Sequence, residues 1–251
     1  SNTVVTLTAV PEALSTFTGW GGAGCSGTSS CTISMNSAKS VTARFTDPTI
    51  STHTRISAGW MHTCALTSTG GIKCWGRNYY GRLGNGTLIE SLVPVDVSGL
   101  TSGVIEISAG GTDTCALTDA GGVKCWGWNI NGQLGQGGID ESNVPVDVIG
   151  LTSGAITVSA SSRDHTCALI SPAGGARCWG GNFYGQLGDG ARQPRYEPLD
   201  VFGLTSGVSA ISAGNRYTCA LTDPGGVKCW GDNTYGQLGI GKNLAYRLLP
   251  V

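Results

Sequence analysis

Four copies of one segment dominate this sequence and restrict the folds open to it. Each copy reads T-C-A-L, a Gly-containing turn, C-W-G and a closing G-x-L-G, beginning at His62, Asp113, His165 and Tyr217. Their first cysteines are residues 64, 115, 167 and 219, so successive copies lie 51 or 52 residues apart. A constant period of this length is typical of solenoids and propellers, in which each repeat is one supersecondary unit.

Residues within each copy alternate between two faces, as in a β-strand. In the first copy Cys64 and Leu66 face one side and Thr63 and Ala65 the other, which is the period of two expected of strands. Glycines at the centre of the segment predict a hairpin. Trp75 shares a face with Ala65, so both faces are apolar or small, as expected where sheets stack on both sides. We therefore predict propeller blades, connected by the W-G-x-N-x-x-G-x-L-G stretch.

This stretch resembles the repeats of the regulator of chromosome condensation family. Trp75-Gly76, Asn78, Gly81 and Leu83-Gly84, with their equivalents in the other copies, fit W-G-x-N-x-x-G-Q-L-G, and Ala58 to Leu66 fits A-G-x-x-H-T-x-A-L. The resemblance implies a β-propeller of four-stranded blades, usually seven. We expect an all-β propeller that is incomplete or completed by another chain, since only four repeats are present, at 56–104, 105–155, 156–208 and 209–251.

Residues 1–45 form a separate small β domain, followed by a linker at 46–55. The segment is rich in Thr, Ser and Val, and resembles the divergent internalin-type B-repeat of bacterial surface proteins through Thr6-Leu7-Thr8-Ala9, Phe17-x-Gly19-Trp20, Cys25…Cys31 and Ser40 to Phe45. The usual first strand of such a domain is expected to be missing before Thr3. The chain thus begins and ends inside a repeat, so its ends are either cuts from a larger protein or incomplete sheets that another chain completes by strand addition.

Ten cysteines fall into five local pairs and leave none over. In a hairpin whose turn lies midway, Cys64 and Cys74 are directly opposed and within disulfide range. A zinc site is the alternative, but it needs four converging ligands, and these pairs lie in separate repeats with no C-x-x-C. We predict no metal and no other cofactor, an oxidising compartment outside the cytosol, and the disulfides Cys25–Cys31, Cys64–Cys74, Cys115–Cys125, Cys167–Cys178 and Cys219–Cys229.

Charge and motif content argue against several function classes. The net charge is −1 with no basic block, which argues against nucleic acid as a partner, and no apolar stretch reaches the 18 or so residues of a membrane span. The sequence has no G-x-S-x-G, H-E-x-x-H or P-loop and no repeated acidic pair, so we predict no catalytic residue and no enzyme. His62 and His165 share one repeat position, where a polar strand residue near the propeller axis is favoured over a metal or proton-transfer role.

Aromatic side chains in or beside the connecting loops are the candidate binding residues, because loops on a rigid scaffold commonly carry recognition. Aromatic residues that repeat in register are expected to pack instead: Trp75, Trp126, Trp179 and Trp230 in the blade core, and Tyr80, Tyr184 and Tyr235 before the loop glycine. The positions that vary between copies are the better candidates, and these are Trp60, Tyr79, Trp128 and Phe183.

Taken together, these features favour a non-enzymatic recognition or adhesion module of a bacterial surface or secreted protein. The propeller loops would bind a protein or a glycan, with the B-repeat as spacer or stalk. The alternatives are a self-assembling subunit of a fibre or ring, completed by strand addition between chains, and a secreted enzyme inhibitor. The family that the chain resembles also includes a nucleotide-exchange factor for a nuclear GTPase, but an intracellular GTPase partner conflicts with the predicted disulfides. It includes a plant photoreceptor as well, whose tryptophan cluster has only Trp60 as a counterpart here.

Overall fold

A computed structural model describes residues 3–9, 16–35, 39–46, 56–241 and 244–251. The chain divides into two compact units, residues 1–52 and 53–251. Of the predicted linker at 46–55 only Thr46 lies within the described residues, and His53 lies outside them. No helix among these ranges is long and apolar enough to cross a membrane.

The smaller unit contains two antiparallel strand pairs. Strands β1 (Thr3–Leu7) and β3 (Cys31–Met35) form one pair, and β2 (Thr16–Gly21) and β4 (Thr42–Thr46) form the other. The Cys25–Cys31 disulfide ties the loop before β3 to the first residue of that strand. Nearby, the Trp20 indole donates a hydrogen bond to the Ser29 carbonyl at 2.7 Å. A disulfide and an aromatic side chain thus hold this loop in place.

The larger unit is built from four-stranded antiparallel sheets, one for each sequence repeat. The first two sheets comprise β5 (Ile56–Ala58), β6 (His62–Leu66), β7 (Ile72–Gly76) and β8 (Ser91–Asp96), then β9 (Val104–Ala109), β10 (Asp113–Thr118), β11 (Val123–Gly127) and β12 (Ser142–Asp147). The last two comprise β13 (Ala155–Ala160), β14 (His165–Ile170), β15 (Gly175–Gly180) and β16 (Arg195–Asp200), then β17 (Val208–Ala213), β18 (Tyr217–Thr222), β19 (Gly226–Asp232) and β20 (Tyr246–Arg247). A 3-10 turn at Tyr79–Gly81 follows β7.

These sheets are propeller blades, which confirms the predicted fold class. Strands follow chain order across each sheet, and the first strand of each blade packs against that of the next, as β5 does on β9 and β9 on β13. The innermost strands therefore surround the propeller axis. Within the described residues, blades one to four contact in sequence and the ring does not close, so the propeller is incomplete.

The five predicted disulfides are present. In each blade the two cysteines lie directly opposite on the second and third strands, with Cα atoms 4.1 Å apart, as in Cys64–Cys74. The third blade keeps its bridge although Cys167 and Cys178 are separated by 11 residues rather than 10. Each bridge closes a short loop and contributes roughly 2–3 kcal/mol on the chain-entropy model.

The repeated tryptophans join one blade to the next. The buried indole of Trp179 donates to the Gln133 carbonyl of the preceding blade at 2.8 Å, and the Thr166 hydroxyl donates to the same oxygen at 3.1 Å. Trp126 with Thr114 and Trp230 with Thr218 repeat this arrangement on the carbonyls of Arg82 and Gln186. The sequence predicted these tryptophans as blade core, and the structure places them at the interfaces between blades.

The spacing of the connecting loop, which is repeated in all four copies, follows from this packing. Gly84 has a φ of +67°, and a Cβ there would lie 2.6 Å from the Trp126 indole nitrogen, so neither the backbone nor the space allows a side chain. Asn78, fully buried, fixes the same loop because its Oδ1 accepts a hydrogen bond from the Leu83 amide at 2.9 Å. Gly84 and Asn78 therefore fix the path of the loop after β7, which carries Tyr79.

Candidate functional site

A cavity of about 810 Å³ opens where the inner strands of the blades end. The last residues of β5, β9, β13 and β17 all contribute to its wall. We call it the interblade cavity, and its principal side chains are Trp60, Thr112, Trp128, Asn131, Arg163 and Asp164. This volume falls within the roughly 300–1,000 Å³ of small-molecule binding sites.

Two tryptophans flank this cavity on backbone that other residues hold in place. The Trp60 amide donates to the Gly110 carbonyl at 3.2 Å, and the Trp128 amide donates to the Thr112 carbonyl at 3.1 Å. The Trp128 ring also stacks on Tyr80, with ring centroids 4.6 Å apart and planes 18° from parallel. Trp60 is 70% exposed. The cavity therefore presents large aromatic surface, and the Trp128 part of it is already held by Tyr80.

Asp164 supplies a carboxylate to the same wall. It accepts hydrogen bonds from the side-chain amides of Asn131, at 3.4 Å, and Gln186, at 3.3 Å. Burial raises the pKa of Asp164 above its ordinary value, although the Gln186 bond and the charges of Arg163 and Arg216 oppose this shift. Carboxylate and amide groups thus stand side by side at the cavity.

Two neighbouring buried residues, one of them in the cavity lining, have polar side-chain atoms with no hydrogen-bond partner among the described residues. Thr112 is 7% exposed, lines the cavity, and has no hydrogen-bond partner for its hydroxyl. One residue further on, Asp113 is buried with Oδ2 also unpaired. Burial, reinforced by the charge of Asp164, raises the pKa of Asp113 well above its ordinary value. Most buried polar atoms in proteins are hydrogen-bonded, so the unpaired hydroxyl of Thr112, a residue of the cavity lining, is a group that a bound ligand could pair with.

A second cavity of about 310 Å³ adjoins the first and shares Asn131, Arg163 and Asp164 with it. Phe183 and Tyr184 line this second cavity. Arg216, also in its wall, lies over the Tyr184 ring at 4.6 Å and donates to the Tyr184 hydroxyl at 2.9 Å. Because they share these residues, the two cavities form one continuous surface, which we call the recognition surface after its predicted role.

Three of the four predicted binding residues lie on this surface. Trp60 and Trp128 line the interblade cavity and Phe183 the second one, whereas Tyr79 lines neither and instead packs beneath the Arg77 guanidinium. Their role in binding remains a prediction. Among the tyrosines expected to pack, Tyr80 and Tyr184 do so, but Tyr235 is 92% exposed. The difference arises because Tyr80 and Tyr184 pack on side chains of the following blade.

Sequence reasoning missed Asn131, Asp164 and Thr112. Each departs from the repeat pattern: Asn131 stands where the other copies have tyrosine, and Thr112 and Asp164 stand in a position occupied elsewhere by Met61 and Arg216. Variation between copies, which singled out the aromatic candidates, would have found these polar residues as well.

The histidines at the shared repeat position lie outside the cavity chemistry. His62 Nε2 lies 2.8 Å from Thr114 Oγ1, and His165 Nε2 lies 2.9 Å from Thr218 Oγ1, each in the next blade. Because both threonine hydroxyls donate to backbone carbonyls, the histidine Nε2 must donate. Burial lowers the pKa of each histidine to about 3. In the described ranges no three His, Cys, Asp or Glu side chains converge as metal ligands.

Comparison with protein families gives two matches. A model of the regulator of chromosome condensation (RCC1) repeat matches residues 70–117, 120–169 and 174–221, and a second model of the same repeat matches residues 54–82, 104–133 and 208–237. Residues 1–49 match the divergent InlB B-repeat domain.

Individual relatives are longer than this chain. The ultraviolet-B receptor UVR8 of Arabidopsis thaliana is 35% identical over 192 residues, covering 76% of this chain and 43% of the receptor. The human E3 ubiquitin-protein ligase HERC2 is 35% identical over 191 residues, covering 74% of this chain and 4% of the ligase.

Solved structures agree with these matches. Human WBSCR16 superimposes with a TM-score of 0.68 at 26% identity, covering 78% of this chain and 50% of that protein. Yeast RCC1 (Prp20) bound to Kap60 superimposes with a TM-score of 0.66 at 27% identity, covering 78% of this chain and 47% of that protein. The chain thus spans half or less of the length of these relatives.

Proposed function

The chain belongs to the regulator of chromosome condensation (RCC1) repeat family, and from this premise we propose that it is a non-enzymatic recognition module that binds its partner through the interblade cavity. Propeller repeats of this family are a protein-binding module type: Prp20 was solved with Kap60, and a second structure of it is described with its binding to Gsp1p and histones. The observation that carries the proposal is the convergence of Trp60 and Trp128, from different repeats, on one cavity.

An extracellular setting, at the surface of a bacterium or secreted from it, forms part of this proposal. Five disulfides support an oxidising compartment. The match of residues 1–49 to an InlB-type B-repeat supports a surface or secreted bacterial protein, in which this domain acts as spacer or adhesive stalk.

Removing both cavity tryptophans should abolish most binding. We expect Trp60→Ala with Trp128→Ala to raise the concentration of labelled protein needed for half-maximal retention on a panel of intact bacterial and animal cells by about tenfold or more, because buried aromatic anchors dominate interface energies. Flow cytometry over a concentration series measures this. Tyr235→Ala is the matched control, since Tyr235 is an exposed loop aromatic that lines neither cavity.

If wild type, the double variant and Tyr235→Ala are all retained alike, the cavity does not carry recognition.

A second candidate is self-assembly, which is favoured by the flanks of the first and fourth blades, since no further blade among the described residues covers them. Thr63 and Trp75 are only half-buried, whereas their equivalents are buried and donate to a preceding blade. At the other flank, a Cβ on Gly239 would meet nothing within 4 Å, whereas one on Gly84 would meet Trp126. One flank therefore offers hydrogen-bond donors and the other a matching recess, so a second copy could dock head to tail.

Native mass spectrometry of the non-reduced protein separates the two candidates. For the recognition module we expect a monomer near 25.6 kDa that lacks the ten hydrogens removed by five disulfides. A ladder of multiples that Trp75→Phe shortens would instead support self-assembly. Dithiothreitol treatment under denaturing conditions, which should restore the ten hydrogens, is the control for the mass shift.

A further inference from the structure

We propose that the interblade cavity binds an uncharged carbohydrate, with sugar rings against Trp60 and Trp128 and sugar hydroxyls on the polar groups between them. This inference rests on the recognition function proposed above and names the ligand class of the same site. Three features of the cavity carry it: its charge balance, its unpaired polar atoms and its fixed aromatic walls.

The charge balance argues against an ionic ligand. The lining contains one cationic side chain, Arg163, and one carboxylate, Asp164. Asp113, which follows Thr112 in the chain, is buried, and this burial raises the pKa of its carboxyl. An ion or a highly charged peptide would therefore lose hydration here without meeting an opposite net charge. A neutral ligand avoids that cost.

The polar groups suit hydroxyls in particular. Thr112 lines the cavity, and its buried hydroxyl has no hydrogen-bond partner among the described residues. Asn131 and Asp164, hydrogen-bonded to each other at 3.4 Å, place an amide donor and a carboxylate acceptor next to one another. A sugar hydroxyl both donates and accepts, and neighbouring hydroxyls on a ring can engage neighbouring amide and carboxylate groups. A ligand that carries only hydrogen-bond donors could pair with the Asp164 carboxylate but would leave the Asn131 amide donor without an acceptor.

The aromatic side chains of the cavity suit the apolar face of a sugar ring. A pyranose ring carries C–H groups on its faces, which form an apolar surface that packs flat on an indole. Trp128 is held for this by its stack on Tyr80 and by its amide bond to the Thr112 carbonyl. The stack on Tyr80 already restricts the Trp128 ring, so this ring loses little freedom on binding.

A protein partner fits less of the site. Protein interfaces concentrate their energy in Trp, Tyr and Arg side chains, but Arg216 is already engaged by the ring and hydroxyl of Tyr184. Among the described residues that line the interblade cavity, Arg163 is the cationic side chain. A protein ligand is therefore the competing outcome of the test.

The test uses an array of neutral oligosaccharides, built from hexoses and N-acetylhexosamines, probed with the labelled full chain. We expect binding to at least one glycan, with Trp128→Ala weakening the apparent affinity at least tenfold. Thr112→Val, which removes the hydroxyl but keeps the shape, should weaken the affinity roughly fivefold, the factor for one hydrogen bond. The same Thr112→Val change should leave the melting temperature equal or higher, because it removes an unpaired buried hydroxyl. Tyr235→Ala should change neither property.

Treatment of cells that retain the protein distinguishes failure of the carbohydrate assignment from failure of the recognition function. Retention that is lost after periodate oxidation and survives protease supports the carbohydrate. Retention that survives periodate and is lost after protease, with no glycan bound on the array, overturns the carbohydrate and leaves recognition through Trp60 and Trp128 standing. Array binding that Thr112→Val and Trp128→Ala leave unchanged overturns the site. Absence of any binding that depends on the two tryptophans overturns both proposals.

Discussion

Replacing Trp179 with alanine is expected to lower the free energy of unfolding of the propeller unit by about 3–5 kcal/mol, the usual cost of emptying a buried aromatic site. Trp179 is fully buried between the second and third blades. The substitution also leaves the Gln133 carbonyl with only the Thr166 hydroxyl as a donor. Since the described blades contact one another in sequence, the loss falls on the central interface and should reduce the cooperativity of unfolding as well.

Trp75→Ala is the matched control, because Trp75 occupies the same repeat position but is half-buried and, among the described residues, has no carbonyl of a preceding blade to bond. Guanidinium denaturation followed by far-ultraviolet circular dichroism measures both variants. Trp75→Ala should lower the free energy of unfolding markedly less than Trp179→Ala does. Equal losses would mean that the tryptophan acts within its own blade rather than between blades.

The contrast between these two tryptophans illustrates what the sequence could predict. Alternation and glycine placement are local, so the hairpins and the opposition of Cys64 and Cys74 followed from residues ten apart. The Trp179 acceptor is the Gln133 carbonyl, 46 residues earlier. No local pattern identifies which backbone oxygen a distant indole will reach, so the repeat predicted that these tryptophans were buried but not that they join blades.

The candidate site was predictable to a similar extent. Trp60, Trp128 and Phe183 stood out because they vary between copies, and the structure places all three on the recognition surface. The polar groups that give the cavity its chemistry come together only in three dimensions: Asn131 and Asp164 are 33 residues apart and in different repeats. Their meeting depends on how one blade stacks on the next, which residue spacing alone does not specify.

The same stacking gives the second large effect, a loss of stability in acid caused by His62 and His165. Both histidines are buried at blade interfaces with pKa values of about 3, against about 6.5 in an unfolded chain. The unfolded state therefore takes up protons first. Above pH 6.5 both histidines are neutral in the folded and the unfolded state, so they do not reduce the free energy of unfolding. As the pH drops from 6.5 toward 3, that free energy falls by about 1.4 kcal/mol per pH unit for each histidine.

His165→Tyr isolates this effect, because tyrosine already occupies the equivalent position as Tyr217. Between pH 6 and pH 4 we expect the slope of the unfolding free energy against pH to be shallower in the variant by about 1.4 kcal/mol per pH unit, the contribution of one proton. Guanidinium denaturation at half-unit pH steps measures the slope. An unchanged slope would show that His165 is already protonated in the folded state.

Asp113 and Asp164 act in the opposite direction, which supplies an internal check of the sign. Burial raises the pKa of both carboxyls, so in the range just above the ordinary aspartate value the folded state takes up protons before the unfolded state does, and stability rises as the pH falls. Asp113→Asn removes that compensation and should make the acid loss steeper, while His165→Tyr makes it shallower. Arg82 lies near both His62 and Asp113 and lowers the pKa of each, so it adds to the histidine effect and reduces the aspartate one. Opposite changes of slope in the two variants would establish that charge burial at the blade interfaces, rather than general acid unfolding, sets the pH dependence of this propeller.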